Sequence, residues 1–278
     1  MKLHSRLIDA ATHAGLLLFA LFLVFPLIWM IGTSFKPTTE IYSGVVSVIP
    51  EAPSLDHYRT IFQEQSIFTS MLNSFYVGIA STVIAILIAL PGSYALARYS
   101  TRWNKIILGW VLGSQIFPVI LVMIPLYILL RSMMLTDSLL GLTLVYVVWA
   151  LPFVLWMLQG YVHSIPVEIE EAASIDGASR MQVIFRIVAP LLLPAVGASV
   201  LFAFVSAWNE FFFALVLMKD PGLMTVQVEL ARFTGMEGQA RTGPLAAASV
   251  LATVPSVILF GFLQKWFSSG LLAGAVKN

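Results

Sequence analysis

Six long stretches of the chain are almost entirely apolar, and the only Asp, Glu, Lys or Arg inside any of them is Glu210. Each stretch reaches the ~20 residues that an α-helix needs to cross ~30 Å of hydrocarbon. Because lipid offers no hydrogen-bond partner to a free backbone group, such a stretch has to be helical. The pattern therefore predicts an all-α integral membrane protein with a single transmembrane domain over residues 1–278. Its six transmembrane helices are expected at about 14–34, 71–97, 106–130, 139–162, 188–217 and 243–264.

Prolines lie inside all six stretches, and seven of them are expected to kink the helices without breaking them. They are Pro26, Pro91, Pro118, Pro125, Pro152, Pro194 and Pro255.

The composition supports the same class of protein. Hydrophobic residues make up 59% of the chain and charged residues 10%, whereas soluble globular domains carry about 25% charged residues. The first apolar stretch follows Lys2 and Arg6, as a signal peptide would, but no clear small-residue cleavage site follows Trp29. We therefore expect an uncleaved first helix. The absence of cysteine excludes disulfides and thiol chemistry.

The basic residues predict the orientation of the chain, because cytoplasmic loops carry an excess of Lys and Arg. With a cytoplasmic N-terminus, nine basic residues fall inside and six fall outside. The inner set is Lys2, Arg6, Arg98, Arg102, Lys105, Arg180, Arg186, Lys265 and Lys277, and the outer set is Lys36, Arg59, Arg131, Lys219, Arg232 and Arg241. We therefore expect both termini in the cytoplasm, with the chain in the cytoplasmic (inner) membrane of a bacterium or archaeon and in contact with its lipid.

The motifs of several other functional classes are absent from the sequence. There is no G-x-x-x-x-G-K-[ST] loop for nucleotide phosphates, no H-E-x-x-H or G-x-S-x-G motif, and the four histidines are scattered. Glu210 is the single carboxylate at membrane depth, whereas an ion-coupled carrier usually has several ionisable residues there. We therefore expect no catalytic residue, metal or cofactor in this chain and no nucleic-acid partner. Energy for uphill transport would come from another subunit.

The loop between the fourth and fifth predicted spans, at about 163–187, has the pattern of two short helices joined by a sharp turn. Ser164 is placed to cap the first helix, with Pro166 in its first turn. Gly177 is expected to adopt a positive φ and end that helix, and Asp176 to begin the next one. Three acidic residues suit the positive N-terminal end of the first helix, namely Glu168, Glu170 and Glu171.

On its residues alone, this loop is either an amphipathic linker at the membrane surface or a docking element whose small Ala172 and Ala173 fit a partner's groove. It also resembles a known loop. Glu171-Ala172-Ala173, three residues, Gly177, nine residues, Ile187, one residue and Ala189-Pro190 are similar to the EAA loop of binding-protein-dependent ABC importer permeases of the carbohydrate (maltose-type) family. Ala189 stands where that family usually has Leu.

The resemblance implies a coupling loop that docks onto a dimer of ATPase subunits. The residues carried over to that role are Glu171, Ala172, Ala173, Asp176 and Gly177. ATP and Mg would be bound by the partner ATPase, and this chain would bind neither.

Nearly the whole chain shares the resemblance. Segments similar to sugar permeases lie at 29–37, 73–74, 117–118, 124–127 and 207–210, and the Gly-rich tail at 270–277 resembles that of the shorter permease of a maltose-type pair. Leu272 and Asn278 depart from the usual Thr and Gly of that tail, which leaves a contact between the tail and the ATPase open. The resemblance implies two more partners, a second homologous permease subunit and an extracytoplasmic solute-binding protein.

The outer loop between the fifth and sixth predicted spans is long enough to be functional. By position, the resemblance implies that its residues Gly235, Met236, Glu237 and Gly238 contact the binding protein. The alternative is that the loop is only a connector.

Candidate residues for a sugar pathway lie in the fifth and third spans. Trp208, Asn209 and Glu210 combine an aromatic ring, an amide and a carboxylate, as sugar-binding sites often do. Gln115 is a further candidate. The alternative for Glu210 is a polar contact between helices or a charge at the outer membrane boundary.

Residues and resemblance together predict a permease subunit that moves a sugar or sugar derivative into the cytoplasm by alternating access. One alternative is a proton- or sodium-coupled carrier, which would show paired intramembrane charges and inverted repeats. Another is an intramembrane enzyme, which would show paired catalytic groups. Neither pattern is evident in the sequence.

Overall fold

The computed structural model describes residues 2–64, 67–99, 103–235 and 241–275 of the chain, and every regular element within them is a helix. The α-helices are α1 (Lys2–Ser34), α2 (Thr38–Ile41), α3 (Asp56–Glu64), α4 (Ile67–Arg98), α5 (Trp103–Gly113), α6 (Val119–Ser132), α7 (Leu139–Ser164), α8 (Val167–Ile175), α9 (Arg180–Gln182), α10 (Ala189–Leu191), α11 (Leu193–Trp208), α12 (Phe212–Leu217), α13 (Val226–Arg232) and α14 (Thr242–Ala275). Two 3-10 helices occupy Ser114–Ile116 and Pro221–Leu223, and a π-helix occupies Val183–Val188.

Four of the described helices, α1, α4, α7 and α14, are long and apolar enough to cross a membrane on their own. Two bent helix pairs have the same character, and counting each pair as one span gives six, the number that the sequence predicts. The α7 helix begins at Leu139, as expected, because the Ser138 hydroxyl oxygen accepts a hydrogen bond from the Gly141 N–H at 3.4 Å. This bond satisfies one of the free N–H groups at the helix start.

The third predicted span is not one continuous helix. The chain bends by 100° between the pair of helices that ends at Ile116 and the α6 helix. Pro118 lacks an N–H group for the carbonyl oxygen of Ser114, and its ring forces the preceding residue out of helical geometry. Accordingly, Phe117 has extended backbone angles, with φ −67° and ψ 127°. The expectation of a mere kink at Pro118 is therefore wrong.

The fifth predicted span, at about 188–217, is also interrupted. Its first part bends by 81° against α11 at Leu192, because Pro194 has no N–H to donate to the carbonyl oxygen of Pro190. The α11 helix then ends at Trp208, and α12 is a separate short helix. The expectation of one continuous helix is corrected at both points.

The described residues form two compact units. The first lies within Met1–Ile67 and Leu230–Thr253. In it, the Lys36 ammonium group is buried, donates to the Ser47 carbonyl oxygen and lies 5.1 Å from the centre of the Trp29 ring. His57 Nε2 donates to the Lys36 carbonyl oxygen at 2.8 Å. These contacts fix the segment that follows α1.

The second unit lies within Phe68–Glu229 and Val254–Asn278. Three buried apolar clusters follow α7 from its start to its end. The first includes Leu142 and Tyr146, the second Val154 and Leu158, and the third Val162. The third cluster also contains residues of α4 and of the π-helix, so it forms the support on which the loop after α7 rests.

Candidate functional site

The loop after α7 does form a short helix, but its start differs from the expected one. The α7 helix continues to Ser164, whose hydroxyl donates to the Tyr161 carbonyl oxygen at 2.8 Å and is not the cap of α8. Pro166 precedes α8 with φ −58° and ψ 134°, and no side-chain bond caps that helix. The expected cap fails because the Ser164 hydroxyl bonds back within its own helix.

The turn after α8 follows the prediction for Gly177 and corrects the one for Asp176. Gly177 has φ +84°. The N–H of Ala178 donates to the Ala173 carbonyl oxygen at 3.0 Å, and the N–H of Gly177 donates to that of Ser174 at 3.1 Å. This pair of bonds is the Schellman arrangement that ends a helix at a glycine. Asp176 therefore closes α8 and does not begin the next helix.

Ser179 begins the next helix, α9. Its hydroxyl accepts from the Gln182 N–H at 3.4 Å, while the Gln182 side chain accepts from the Ser179 N–H at 2.8 Å. This reciprocal capping box fixes the direction in which the chain leaves the turn. The helix, the glycine turn and the second helix expected from the sequence are all present, with the residue roles shifted.

The exposed side of α8 carries both charge and apolar surface. Glu171, Ala172 and Asp176 are exposed, as a docking role requires, whereas Ala173 packs partly against the third apolar cluster. Ile175 at the end of the helix is 87% exposed. The result is a small surface with a carboxylate at one point and a large apolar side chain at another.

One residue of this loop that the sequence reasoning did not single out is Glu170. Its side chain is buried, and its carboxylate accepts hydrogen bonds from Tyr94 and Arg98 of α4. A sequence signal for this burial exists, because Glu170 precedes the inward-facing Ala173 by three residues and so shares its helix face. Its partners in α4, however, lie more than seventy positions earlier in the chain.

The three consecutive candidates for the sugar pathway enter three different environments. Trp208 is 2% exposed and stacks on Phe204, with ring centres 5.7 Å apart. Asn209 is exposed, and its amide N–H donates to the Val205 carbonyl oxygen at 2.9 Å. Glu210 is half-buried.

The Glu210 carboxylate joins helices. It accepts from the N–H of Phe213 at 2.8 Å, from the N–H of Ala214 at 3.2 Å and from the Tyr146 hydroxyl at 2.8 Å. The first two bonds cap the start of α12, and the third ties α12 to α7. This geometry has the form of the polar helix contact that the sequence left open as an alternative.

Asn209 and Gln115 each line a cavity of the second unit. The cavity at Asn209 has a volume of about 780 Å³ and lies among α7, α11 and α14, with Phe153 and Phe202 stacked in its wall. The cavity at Gln115 has a volume of about 690 Å³ and is lined by Trp110 and Trp149. The Gln115 amide donates to the Trp149 carbonyl oxygen at 3.2 Å. The structure thus places the two polar candidates in separate cavities.

The segment after α12 is held at its base by side chains from distant parts of the second unit. The Asn73 amide donates to the carbonyl oxygens of Gly222 and Met224 at 2.9 and 3.0 Å. The Ser74 hydroxyl accepts from the Val226 N–H at 2.8 Å. The Asn73-Ser74 pair that carries part of the sequence resemblance therefore anchors this segment.

A second anchor of the same segment is Asp137. Its carboxylate accepts from the N–H groups of Lys219 and Asp220 at 2.5 and 2.9 Å. Further along, Gly235 has φ +66°. The other three residues expected to contact a binding protein, Met236, Glu237 and Gly238, lie outside the described residues.

Comparison with known families defines the class of the protein. Residues 81–272 match the family described as binding-protein-dependent transport system inner membrane component. The chain belongs to this family. It is a multi-pass membrane permease subunit of a transport system, as expected, and not an enzyme.

The chain matches individual relatives over most of their length. The chain is 49% identical over 230 residues to the ABC transporter permease protein ORF1 of Streptomyces antibioticus, which covers 83% of this chain and 100% of that protein. It is 38% identical over 257 residues to the diacetylchitobiose uptake system permease protein DasC of Streptomyces coelicolor, covering 92% of each. The resemblance to ABC importer permeases is thereby confirmed.

A solved structure has the same fold. The match is a chain in the crystal structure of a bacterial ABC transporter involved in the import of the acidic polysaccharide alginate, with a TM-score of 0.81 at 24% identity. It covers 94% of this chain and 97% of that one. The predicted fold class, an all-α membrane domain, is confirmed.

Proposed function

We propose that this permease imports a sugar or sugar derivative that an extracytoplasmic solute-binding protein delivers to it. Two observations support this cargo. DasC is a permease of diacetylchitobiose uptake, and the structural neighbour serves alginate import, so both cargoes are carbohydrates. The sequence resemblance to maltose-type permeases points to the same class.

Transport would follow an alternating-access cycle in which a second homologous permease supplies the other half of the pathway. Both termini lie in the cytoplasm in this proposal, in agreement with the excess of basic residues on that side. The outer segment that Asn73 and Asp137 anchor then faces the binding protein, with Gly235 and the residues after it as the contact.

The observation that carries the proposal is the exposed helix α8 with its glycine-terminated turn, in a chain of this permease family. Such a helix can seat in a groove of an ATPase subunit, where Glu171 offers a charge-assisted hydrogen bond of about 1.5–3 kcal/mol. Ala172 allows close approach, and Asp176 and Gly177 set the turn that passes motion on to α9.

Within the membrane, Asn209 and Gln115 are the side chains best placed to contact sugar, because each lines a cavity. Trp208 and Glu210 would hold the helices of the pathway in place without contacting the sugar. Trp208 is buried against Phe204, and Glu210 fixes the start of α12.

The test is to purify the complex through the permease and measure sugar uptake and ATP hydrolysis in proteoliposomes. Gly177→Val imposes a left-handed backbone penalty of roughly 1–2 kcal/mol, and Glu171→Ala removes the charged contact. Both variants are expected to insert and pair with the second permease, yet to hold the ATPase weakly or to hydrolyse ATP without importing sugar.

Gly160→Val is the matched control, because Gly160 also has open space around its Cβ position but lacks a positive φ. It should retain uptake. Normal ATPase retention with normal uptake in both Gly177→Val and Glu171→Ala would refute the assignment of the coupling loop.

A further inference from the structure

The end of α4 is joined to the coupling loop by a buried ion pair. Glu170 of α8 is 6% exposed, and its carboxylate lies 2.6 Å from Arg98 Nη2 and 2.8 Å from Arg98 Nε. The Tyr94 hydroxyl donates to the other carboxylate oxygen at 2.7 Å. Carboxylates are rarely buried unless they are paired. Arg98 thus binds one carboxylate oxygen of Glu170 through Nε and Nη2, and Tyr94 binds the other oxygen.

The same guanidinium group also reaches the chain just before α8. Arg98 Nη2 donates to the Ile165 carbonyl oxygen at 2.8 Å. Arg98 therefore contacts both the α8 helix and the link that leads into it. One turn earlier on the same face of α4, Tyr94 adds its contact to Glu170.

A cation–π contact also joins the end of α4 to the part of the loop beyond the glycine turn. The Arg180 guanidinium group of α9 lies 5.5 Å from the centre of the Tyr99 ring, directly after α4. Such a cation–π contact adds a weak attraction between α9 and the end of α4. The end of α4 therefore touches the loop on both sides of Gly177.

These polar contacts differ from the apolar contacts beneath the loop. Leu90 of α4 packs with Val183 and Ile184 of the π-helix, and apolar surfaces can slide past each other because their attraction has no direction. A charge pair with two fixed donor–acceptor lines is directional, and separating it leaves an uncompensated charge in a buried site. Displacement of α8 is thus opposed unless α4 moves with it.

We propose that Tyr94, Arg98 and Glu170 form a lock that carries the motion of the docked ATPase from α8 directly into α4. The chain connection through α9, the π-helix and α11 provides one route into the membrane, and the lock provides a second. The proposal rests on the proposed function of α8 as the coupling helix. It assigns Arg98 and Glu170 as positioning residues that touch neither sugar nor nucleotide.

The experiment compares lock variants of the complete complex in proteoliposomes, with sugar uptake and ATP hydrolysis measured on the same vesicles. Glu170→Gln and Arg98→Gln are expected to lower the ratio of sugar imported to ATP hydrolysed at least fivefold while the ATPase stays bound. Tyr94→Phe leaves the ion pair in place and should lower the ratio less than twofold. Lys105→Gln removes an exposed charge shortly after α4 and should leave the ratio unchanged.

Rescue separates coupling from simple stabilisation. Arg98→Lys keeps the charge and should recover part of the ratio, and the exchanged pair Arg98→Glu with Glu170→Arg should exceed either single replacement. If the glutamine variants do not yield intact complexes, Arg98→Lys decides, because it keeps the charge but loses guanidinium contacts to Glu170 and to the Ile165 carbonyl oxygen, so its ratio should lie below that of the wild type.

The lock is refuted if Glu170→Gln and Arg98→Gln import sugar at the wild-type ratio, or if uptake and hydrolysis fall together in them so that the ratio is constant. The second result would mean that the pair only stabilises the loop. Failure of the proposed function has a different signature, since the wild-type complex itself would then import no sugar under ATP.

Discussion

Replacing Glu210 tests whether this intramembrane carboxylate holds helices together. Its three hydrogen bonds come from two N–H groups at the start of α12 and from the Tyr146 hydroxyl of α7. Glu210→Ala removes all three acceptor contacts. At about 0.5–1.5 kcal/mol for each of the three bonds, the expected loss of stability is about 1.5–4.5 kcal/mol. Tyr146→Phe removes one bond and should cost about 1 kcal/mol.

The shared bond makes these two variants non-additive. Once Glu210 is alanine, Tyr146 has lost its acceptor, so Tyr146→Phe should add little further cost. A double-mutant cycle on the purified permease complex, followed by thermal unfolding in detergent, should therefore give a coupling energy of about 1 kcal/mol. Asp56→Ala is the control, because its ion pair with Arg59 joins two exposed side chains and contributes about 0–1 kcal/mol.

A Glu210→Ala complex that unfolds at the wild-type temperature would show that the carboxylate does not hold α7 and α12 together. If the same variant also imported sugar with a weakened apparent affinity, the carboxylate would belong to the sugar pathway and not to the helix contact.

Two further predictions concern the outer and inner surfaces. Asn73→Ala removes two hydrogen bonds to the segment at Gly222 and should reduce the stimulation of ATP hydrolysis by the loaded binding protein severalfold, with basal hydrolysis intact; full stimulation would show that the anchor is dispensable. Cysteines placed singly at Val46 and Met181, both exposed in a chain without native cysteine, should react in intact cells with impermeant reagents at Val46 and only with permeant ones at Met181. The reverse pattern would overturn the orientation.

The positions of four long apolar helices, α1, α4, α7 and α14, could be predicted from the sequence because the information is local. A gap between charges long enough to cross the bilayer marks a span whatever its neighbours are. The turn at Gly177 was predictable for a similar reason, since a glycine at the end of a short acidic helix is the usual residue with positive φ.

The angles of the bends and the environments of the candidate side chains could not be predicted in the same way. Pro118 and Pro194 indicate that the helix is interrupted near each of them. The sizes of the bends, 100° and 81°, depend on the parts of the protein that pack against each half of the span. Trp208, Asn209 and Glu210 were expected to act as one group. They diverge because α11 ends at Trp208, and the following residues no longer share its helix face.

Glu170 shows the limit most clearly. Three glutamates of similar appearance precede Ala172, and any of them suits the N-terminal end of a helix. Which of the three is buried depends on where Arg98 and Tyr94 lie in the folded protein. Sequence spacing alone does not contain it.

The most direct test is reconstitution of this chain with a second permease subunit, an ATPase and a solute-binding protein from the same organism. The vesicles enclose ATP and Mg, and a panel of labelled sugars is offered outside with the binding protein. We expect accumulation of one sugar class that requires ATP and the binding protein and that disappears when this chain is omitted. Accumulation driven by a proton or sodium gradient without ATP, or ATP-driven uptake that persists without this chain, would contradict this expectation.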